Sequence, residues 1–172
     1  TAGDGAAAVL VARGEGVARL LGVATESVDF VVHYREQPQR FDYGWEERWV
    51  RDEGYLEIAP VVIRRALQTA GVEPENVNHF CFPVATRRVA DTLARKVGLR
   101  DESVRDNLQQ GCGEAGAAHP LLLLVHALEH AAPGDVVVAT GFGQGCDALV
   151  VEATGELGRT RPARGIAGYL AC

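Results

Sequence analysis

Hydrophobic and polar positions along this chain follow two periods that exchange several times. Residues 136–138 are three valines in a row after the turn residues Pro133, Gly134 and Asp135, and such an unbroken apolar run predicts a strand covered on both faces. Residues 148–152 (A-L-V-V-E) predict another strand just beyond it. Residues 77–82 read as a strand stopped by Pro83. Residues 6–12 read as a short apolar strand after the Gly3-Asp4-Gly5 turn, and 28–34 as a further one, with strand-like residues around 18–23 ahead of it. Helical spacing governs the rest. Leu56, Ala59, Val62, Ile63, Ala66, Leu67 and Ala70 share a face within 53–70, Gly71 closes that helix, and Pro60 marks its start or a kink. Val89, Ala90, Leu93, Ala94 and Val97 define a helix over 87–97 ended by Gly98, and 115–131 form a longer, mostly buried one. This order of strands and helices is that of a layered α/β domain with one continuous core.

Between the two C-terminal strands, glycine stands at 141, 143 and 145. Glycine at every second position removes Cβ atoms from a bend and leaves main-chain N–H groups open to a ligand or a neighbouring segment. The spacing lacks the G-x-G-x-x-G order and the following helix of a dinucleotide site, so a nucleotide is disfavoured; a glycine hairpin without chemistry is the competing reading. The other unusual stretch is 35–52, which holds Phe41, Tyr43, Trp45 and Trp49 among charges. A loop of that kind is functional, an interface, or a lid whose aromatics cover its own floor. Residues 1–156 are expected to form the domain and 157–172, with Gly158, Arg159, Arg161, Pro162, Arg164 and Gly165, a surface strap.

Composition narrows the partners. A chain of 172 residues, 47% hydrophobic, can bury one sizeable core, and a net charge of −6 with pI near 5.4 argues against nucleic acid or an anionic membrane. The most apolar stretch, 121–125, is too short to span a bilayer, and without a charged-then-apolar leader the cytoplasm is the expected compartment. Cys81, Cys112, Cys146 and Cys172 are scattered without C-x-x-C spacing, which predicts reduced thiols. His126 and His130 share a helix face at the spacing of a paired metal site, but H-A-L-E-H offers no third ligand; a face toward solvent or a partner is preferred, and no metal is expected. His79 is expected to cap the start of its strand at the surface.

Four segments together are more specific than any one. G-D-G-A-A-A-V-L-V at the start, N-H-F-C-F-P followed by R-R-V-A-D-T-L-A-R-K-V-G-L, the junction N-L-Q-Q-G-C-G-E-A-G-A-A-H-P, and P-G-D-V-V-V-A-T-G-F-G-Q-G-C-D-A-L resemble the C-terminal half of the thiolase superfamily. Within it the nearest groups are beta-ketoacyl carrier-protein synthase III and hydroxymethylglutaryl-CoA synthase-like proteins, and the resemblance covers residues 3–156. It implies an α/β half with a mixed five-stranded sheet covered by helices, joined in that family to a similar N-terminal half that carries the nucleophilic cysteine.

The resemblance also implies a site. Condensing members use a histidine after the proline of the central strand and an asparagine before the long helix, both aimed at developing negative charge. Here the first position falls on Val84 and the second on Gly113, and neither side chain can donate. Glu114 is the candidate acid or base, with a helix N-terminal carboxylate as its plain alternative. His119 replaces the missing imidazole if its loop turns it inward. Cys112 is a pocket thiol or a small buried hydrophobe. The resemblance places Gly141, Gly143 and Gly145 beside the catalytic cysteine, lining the acyl pocket with Phe142 near the thioester. Coenzyme A or phosphopantetheine then enters as a thioester substrate, with no cofactor. The implied partners are the missing N-terminal half, a second copy in a homodimer, and a zinc-ribbon/OB-fold protein.

Two functions follow. The first is part of an acyltransferase or carbon–carbon lyase on acyl thioesters, of Claisen or retro-Claisen type, whose nucleophile lies outside this chain. The second is a noncatalytic subunit that binds and completes an active partner. The intact G-F-G-Q-G segment favours the first, and Val84 and Gly113 favour the second.

Overall fold

The computed structural model describes residues 2–85, 87–160 and 165–170. The chain enters its sheet at β1 (Ala18–Ser27), leaves it for a small hairpin of β2 (His33–Tyr34) and β3 (Tyr43–Gly44), and passes through a helical turn, α1 (Glu47–Trp49), into a π-helical turn, Val50–Tyr55. Helix α2 (Ile58–Ala70), β4 (Val77–Cys81) and α3 (Arg87–Val97) follow. The short α4 (Gln109–Cys112) then leads to α5 (His119–His130), β5 (Val136–Gly143) and β6 (Gly145–Ala153), and two short helices, α6 (Leu157–Thr160) and α7 (Gly165–Leu170), complete the described chain. Residues 161–164, 171 and 172 of the expected strap lie outside the described residues. Helix α7 docks on α5, with the Ile166 N–H donating to Glu129 Oε1 at 2.7 Å. No helix among the described residues is long and apolar enough to cross a membrane.

The sheet is mixed, in the order β1-β6-β5-β4, with β4 parallel to β5 and the other pairs antiparallel. Alternation along the strands divides two cores. Val138, Ala148, Val150 and Phe80 face α2 and α3, while Val137, Ala139 and Val151 face α5. Both faces of β5 are therefore covered, as its three valines require. Helix α2 ends where Gly71 takes φ 66°. Pro60 sits in the first turn of α2, where its missing N–H has no intrahelical partner to lose.

Four corrections to the sequence reading have physical causes. Residues 6–12 pair with no strand among the described residues, and Leu10 is 93% exposed, so the sheet has four strands instead of five. Local β-propensity alone does not hold an unpaired segment. The strand expected at 28–34 lies at 18–27, because β6 offers a ladder from Ala18↔Ala153 to Ser27↔Gly145, interrupted by one bulge between Leu20 and Gly22, and only His33 and Tyr34 of the expected span are extended in a ladder. The helix expected within 53–70 starts at Ile58, near Pro60 as that proline allowed, whereas that expected at 115–131 starts only at His119, after a 3-10 turn, Gly116–Ala118. His79 is buried rather than at the surface: Nε2 lies 3.1 Å from Asp135 Oδ2, and Nδ1 has no partner.

The face of β1 turned toward the α5 side is incompletely covered. Leu20 and Val23, opposite Val151 and Leu149, remain 55% and 44% exposed.

Two outcomes are expected. Gly145 has φ 125°, and a Cβ there would stand 1.9 Å from the Glu26 carbonyl oxygen of β1, so Gly145→Ala should lose roughly 3 kcal/mol or more of unfolding free energy. Gly143→Ala, with open space around it, should stay within about 1 kcal/mol in the same denaturant titration. Burial holds the His79 imidazole below its ordinary 6.5 despite Asp135, and His126 is lowered the same way. The unfolded chain therefore takes up protons first as pH falls through about 6.5, and the folded state loses stability there. A denaturation midpoint that does not fall between about pH 7 and about pH 5 would contradict this, and His79→Gln should flatten part of the slope.

Candidate functional site

A half-open cavity of about 370 Å³ lies past the C-terminal end of β4. Its apolar wall is Val84 from the segment after β4, Val89 of α3 and Tyr55 of the π-helical turn; its rim carries Glu46, Glu47, Arg48 and Arg51. Arg51 forks onto Asp52 at 2.6 and 2.9 Å, and this side-chain hydrogen bond raises the guanidinium and lowers the carboxyl. Burial pushes the Tyr55 phenol up, with the charges of Glu114 and Glu47 adding to it, so Glu114 shares this end of the sheet.

The segment 106–119 is built from side chains that bond its own backbone. Asp106 Oδ1 accepts the Leu108 N–H at 2.7 Å and Asn107 Oδ1 the Gln109 N–H at 3.2 Å, a pair of Asx turns that holds Leu108 at φ 59°. The Asn107 amide reaches across to donate to the carbonyls of Val84 and Ala85 at 2.6 and 3.2 Å. Asn107 thus clamps the cavity wall to the junction. His119 is fully buried, and both of its nitrogens face main chain: the Ala115 N–H donates to Nδ1 at 3.2 Å, and Nε2–H donates to the Asn107 carbonyl at 2.7 Å. An Nδ1 that accepts and an Nε2 that donates define the neutral tautomer.

Glu114 accepts from Gln109 Nε2 at 2.7 Å and from the Gly116 N–H at 3.1 Å, 3.8 Å from His119 Nδ1, with 43% of its side chain exposed. The Gly3 N–H donates to the Glu114 carbonyl at 2.9 Å, so the amino-terminal segment lies against this junction. Gly113 has φ 70° and ψ −173°, a conformation that excludes most side chains. Cys112 is half-buried, its thiol directed at the carbonyls of Leu108 and Gly113 at 3.2 and 3.4 Å. Burial pushes the thiols of Cys81 and Cys146 up to about 12, and Cys172 lies outside the described residues.

The expected glycine loop is mostly strand. Gly141 and Gly143 belong to β5 and Gly145 opens β6, with the turn at Gln144. Gly141 faces Pro120, and Gly145 makes room for β1 instead of a ligand. Phe142 does reach the site: its ring meets Tyr55 edge-on with centroids 4.8 Å apart, and Tyr55 meets Phe82 at 5.5 Å. The structure therefore gathers Val84, Phe142 and Glu114 around one end of the sheet. His126 and His130 lie with rings 4.5 Å apart, the His130 ring bonded to the His126 carbonyl, and no group of three potential metal ligands forms among the described residues.

Sequence reasoning missed Tyr55 and Asn107. Tyr55 was absorbed into an expected helix, because nothing local distinguishes a π-helical turn. Asn107 had a signal: adjacent Asp and Asn before a leucine are turn formers, although the partners across the site at Val84 and Ala85 cannot be read from spacing.

Known proteins share this architecture. The family described as 3-Oxoacyl-[acyl-carrier-protein (ACP)] synthase III C terminal matches residues 67–152. Beta-ketoacyl-[acyl-carrier-protein] synthase III of Thermosynechococcus vestitus is 35% identical over 88 residues, half of this chain and 26% of that protein. The crystal structure of 3-oxoacyl-[acyl-carrier-protein] synthase III from Aquifex aeolicus superposes with TM-score 0.69 at 22% identity, over 81% of this chain and 46% of that one. A tetronic acid condensing enzyme, AbyA1, superposes with TM-score 0.67 at 14% identity, over 82% and 49%. The chain thus spans less than half the length of these proteins.

Removing the clamp should be measurable. Asn107→Ala takes the donor from the Val84 carbonyl of the cavity wall and from the exposed Ala85 beside it, and should cost about 1–3 kcal/mol of unfolding free energy; an unchanged denaturation midpoint would mean that the amide contributes nothing.

Proposed function

The chain belongs to the 3-oxoacyl-[acyl-carrier-protein] synthase III C-terminal family of thiolase-like condensing enzymes, and from that premise we propose that it is the C-terminal half of an acyl-thioester enzyme whose nucleophile comes from a preceding half. The observation that carries this reading is the cavity past β4, whose wall joins Val84 to the aromatic ring presented by β5 through Tyr55. A thioester of coenzyme A or of a phosphopantetheine carrier is the substrate class. A thiol supplied by the other half attacks the thioester carbonyl, the C–S bond to the carrier breaks, and the carrier leaves as a thiol with the proton the nucleophile gave up.

In this half Val84 and Gly113 offer no side-chain donor to the oxyanion, which leaves its stabilisation to main chain or to the partner half. Proton transfer falls to Glu114, since both His119 nitrogens are bonded to main chain. The exposed Leu20 and Val23 on β1 support a covering partner, and the N-terminal half is the one the reading requires. A homodimer and a zinc-ribbon/OB-fold protein remain further partners of the same reading. The empty positions at Val84 and Gly113 also favour a second function, a noncatalytic subunit that binds a thioester and completes an active partner.

Incubating the full-length gene product with labelled acyl-CoA separates the two. Stoichiometric protein-bound acyl group with release of free coenzyme A is expected of the enzyme, and Glu114→Gln should then slow transfer by roughly 10²–10⁴-fold with thioester binding little changed. Binding without transfer in the unmodified protein would make it the noncatalytic subunit.

A further inference from the structure

One residue on the cavity wall differs in kind from its neighbours. The rim of the cavity is charged, and Val84 and Val89 are aliphatic, so the Tyr55 phenol is the one neutral side-chain donor among the residues that line it. The rings against which it packs, Phe82 and Phe142, are phenylalanines, as is Phe30 behind Phe142. A ring that only filled this wall would be served by another phenylalanine, since a half-buried hydroxyl gives up water without gaining a partner. Among the described residues the phenol forms no hydrogen bond.

The backbone sets the place of that phenol. In the turn Val50–Tyr55 the Leu56 N–H donates to the Arg51 carbonyl at 3.0 Å, and this closure, wider than that of an α-helix, changes the direction in which the turn presents its side chains. A Cβ on Gly54 would lie 2.7 Å from the Phe30 ring and 3.1 Å from that of Phe142, so the bare glycine lets the turn press against both. Phe82 and Phe142 then hold the Tyr55 ring edge-on, with planes at 87° and 75° to it. All of these contacts belong to this half. The position of the ring therefore does not depend on what covers the cavity.

The surroundings of the phenol keep its proton on. Burial, and then the charges of Glu114 and Glu47, push its ionisation up, and across the neutral range the group is an O–H donor. A fixed neutral donor is worth most where negative charge develops during a reaction. The stabilisation that Val84 and Gly113 do not supply has a source in this half as well, beside main chain and the partner half.

We propose that the Tyr55 phenol donates a hydrogen bond to the thioester carbonyl oxygen, and that this bond strengthens as the oxygen becomes an oxyanion. The inference rests on the acyl-thioester reading and adds a catalytic residue to it. As the partner half's sulfur bonds to the carbonyl carbon, the π pair of the carbonyl moves onto oxygen, and Tyr55 keeps its proton throughout. Collapse returns the pair and breaks the C–S bond; the carrier sulfur leaves with the bonding electrons and takes the proton that the nucleophile gave up.

Tyr55→Phe keeps the ring and removes only the hydroxyl. The full-length gene product and this variant are each mixed with acetyl-CoA and octanoyl-CoA that carry an isotopic label at the thioester carbonyl carbon. Equilibrium dialysis reads binding, and isotope-edited infrared spectra read the carbonyl band, whether or not acyl transfer follows. In the unmodified protein the band should lie at lower frequency than in free thioester, and Tyr55→Phe should return it most of the way. Acyl transfer should slow by roughly 10²–10³-fold, with the dissociation constant changed by less than about twofold. An identical band and an identical rate in the two proteins overturn the role of Tyr55 and leave the thioester reading standing. A variant whose denaturation midpoint and thioester binding fall together makes the phenol structural and overturns it too. No binding of either thioester to the unmodified protein overturns both.

Discussion

Burial of β5 on both faces is the constraint from which the rest of the molecule takes its position. Val138 enters the core under α2 and α3 while Val137 and Ala139 enter the one under α5, and each fully buried valine contributes on the order of 1.5–3 kcal/mol relative to exposure. Because the side-chain period of a strand is two, a slip of one residue would exchange the two sets of side chains between unequal cores. That fixes β5 against β4 on one side and β6 on the other. It also fixes where β5 ends, with Gly141 against Pro120 and Phe142 against Tyr55. The cavity is a consequence of this register, since its wall is made by the segment leaving β4 and by the turn packed against the ring that β5 delivers.

The junction at 106–119 is held by its own polar side chains. Its conformation is maintained by Asp106, Asn107, Glu114 and His119, and each of them bonds main chain within or beside the segment. An imidazole held by an acceptor on one nitrogen and a donor on the other is a strut, and its tautomer is set by those neighbours. Glu114 differs, being partly exposed and close enough to Tyr55 to act on its ionisation. At Gly113 the backbone takes a left-handed conformation that glycine alone adopts without strain, so the turn and the residue type depend on each other.

At the opposite end of the sheet, the buried His79 and the partly exposed Asp135 and Arg105 form a polar group unrelated to the cavity. Asp135 accepts the Ala132 N–H and faces His79, and these contacts outweigh the burial that would raise its carboxyl, leaving it below its ordinary value. Arg105 donates to the Asn78 carbonyl but leaves Nε unpartnered, as His79 leaves Nδ1. These residues tie the starts of β4 and β5 together through charge and hydrogen bonding where the aliphatic cores run out.

The chain's periodicities by themselves determined the layered α/β class, the helix over 87–97 with its glycine stop, the valine strand and its antiparallel neighbour, because each depends on local repetition and on residues such as Gly98 and Pro83 whose backbone limits are intrinsic. Four ordered segments were enough to carry the family likeness and to mark Val84 and Gly113 as lacking donors. Tertiary structure alone decided the remainder. Residues 6–12 have the composition of a strand but find no edge among the described residues, since pairing is a property of two segments. The span 50–55 forms a π-helical turn in which Gly54 leaves room for the rings of Phe30 and Phe142, and those rings come from distant positions in the chain. His79 and His119 were misplaced or left open for the same reason: burial and hydrogen-bond partners belong to the packed molecule, and no spacing within one segment encodes what a second segment brings to it.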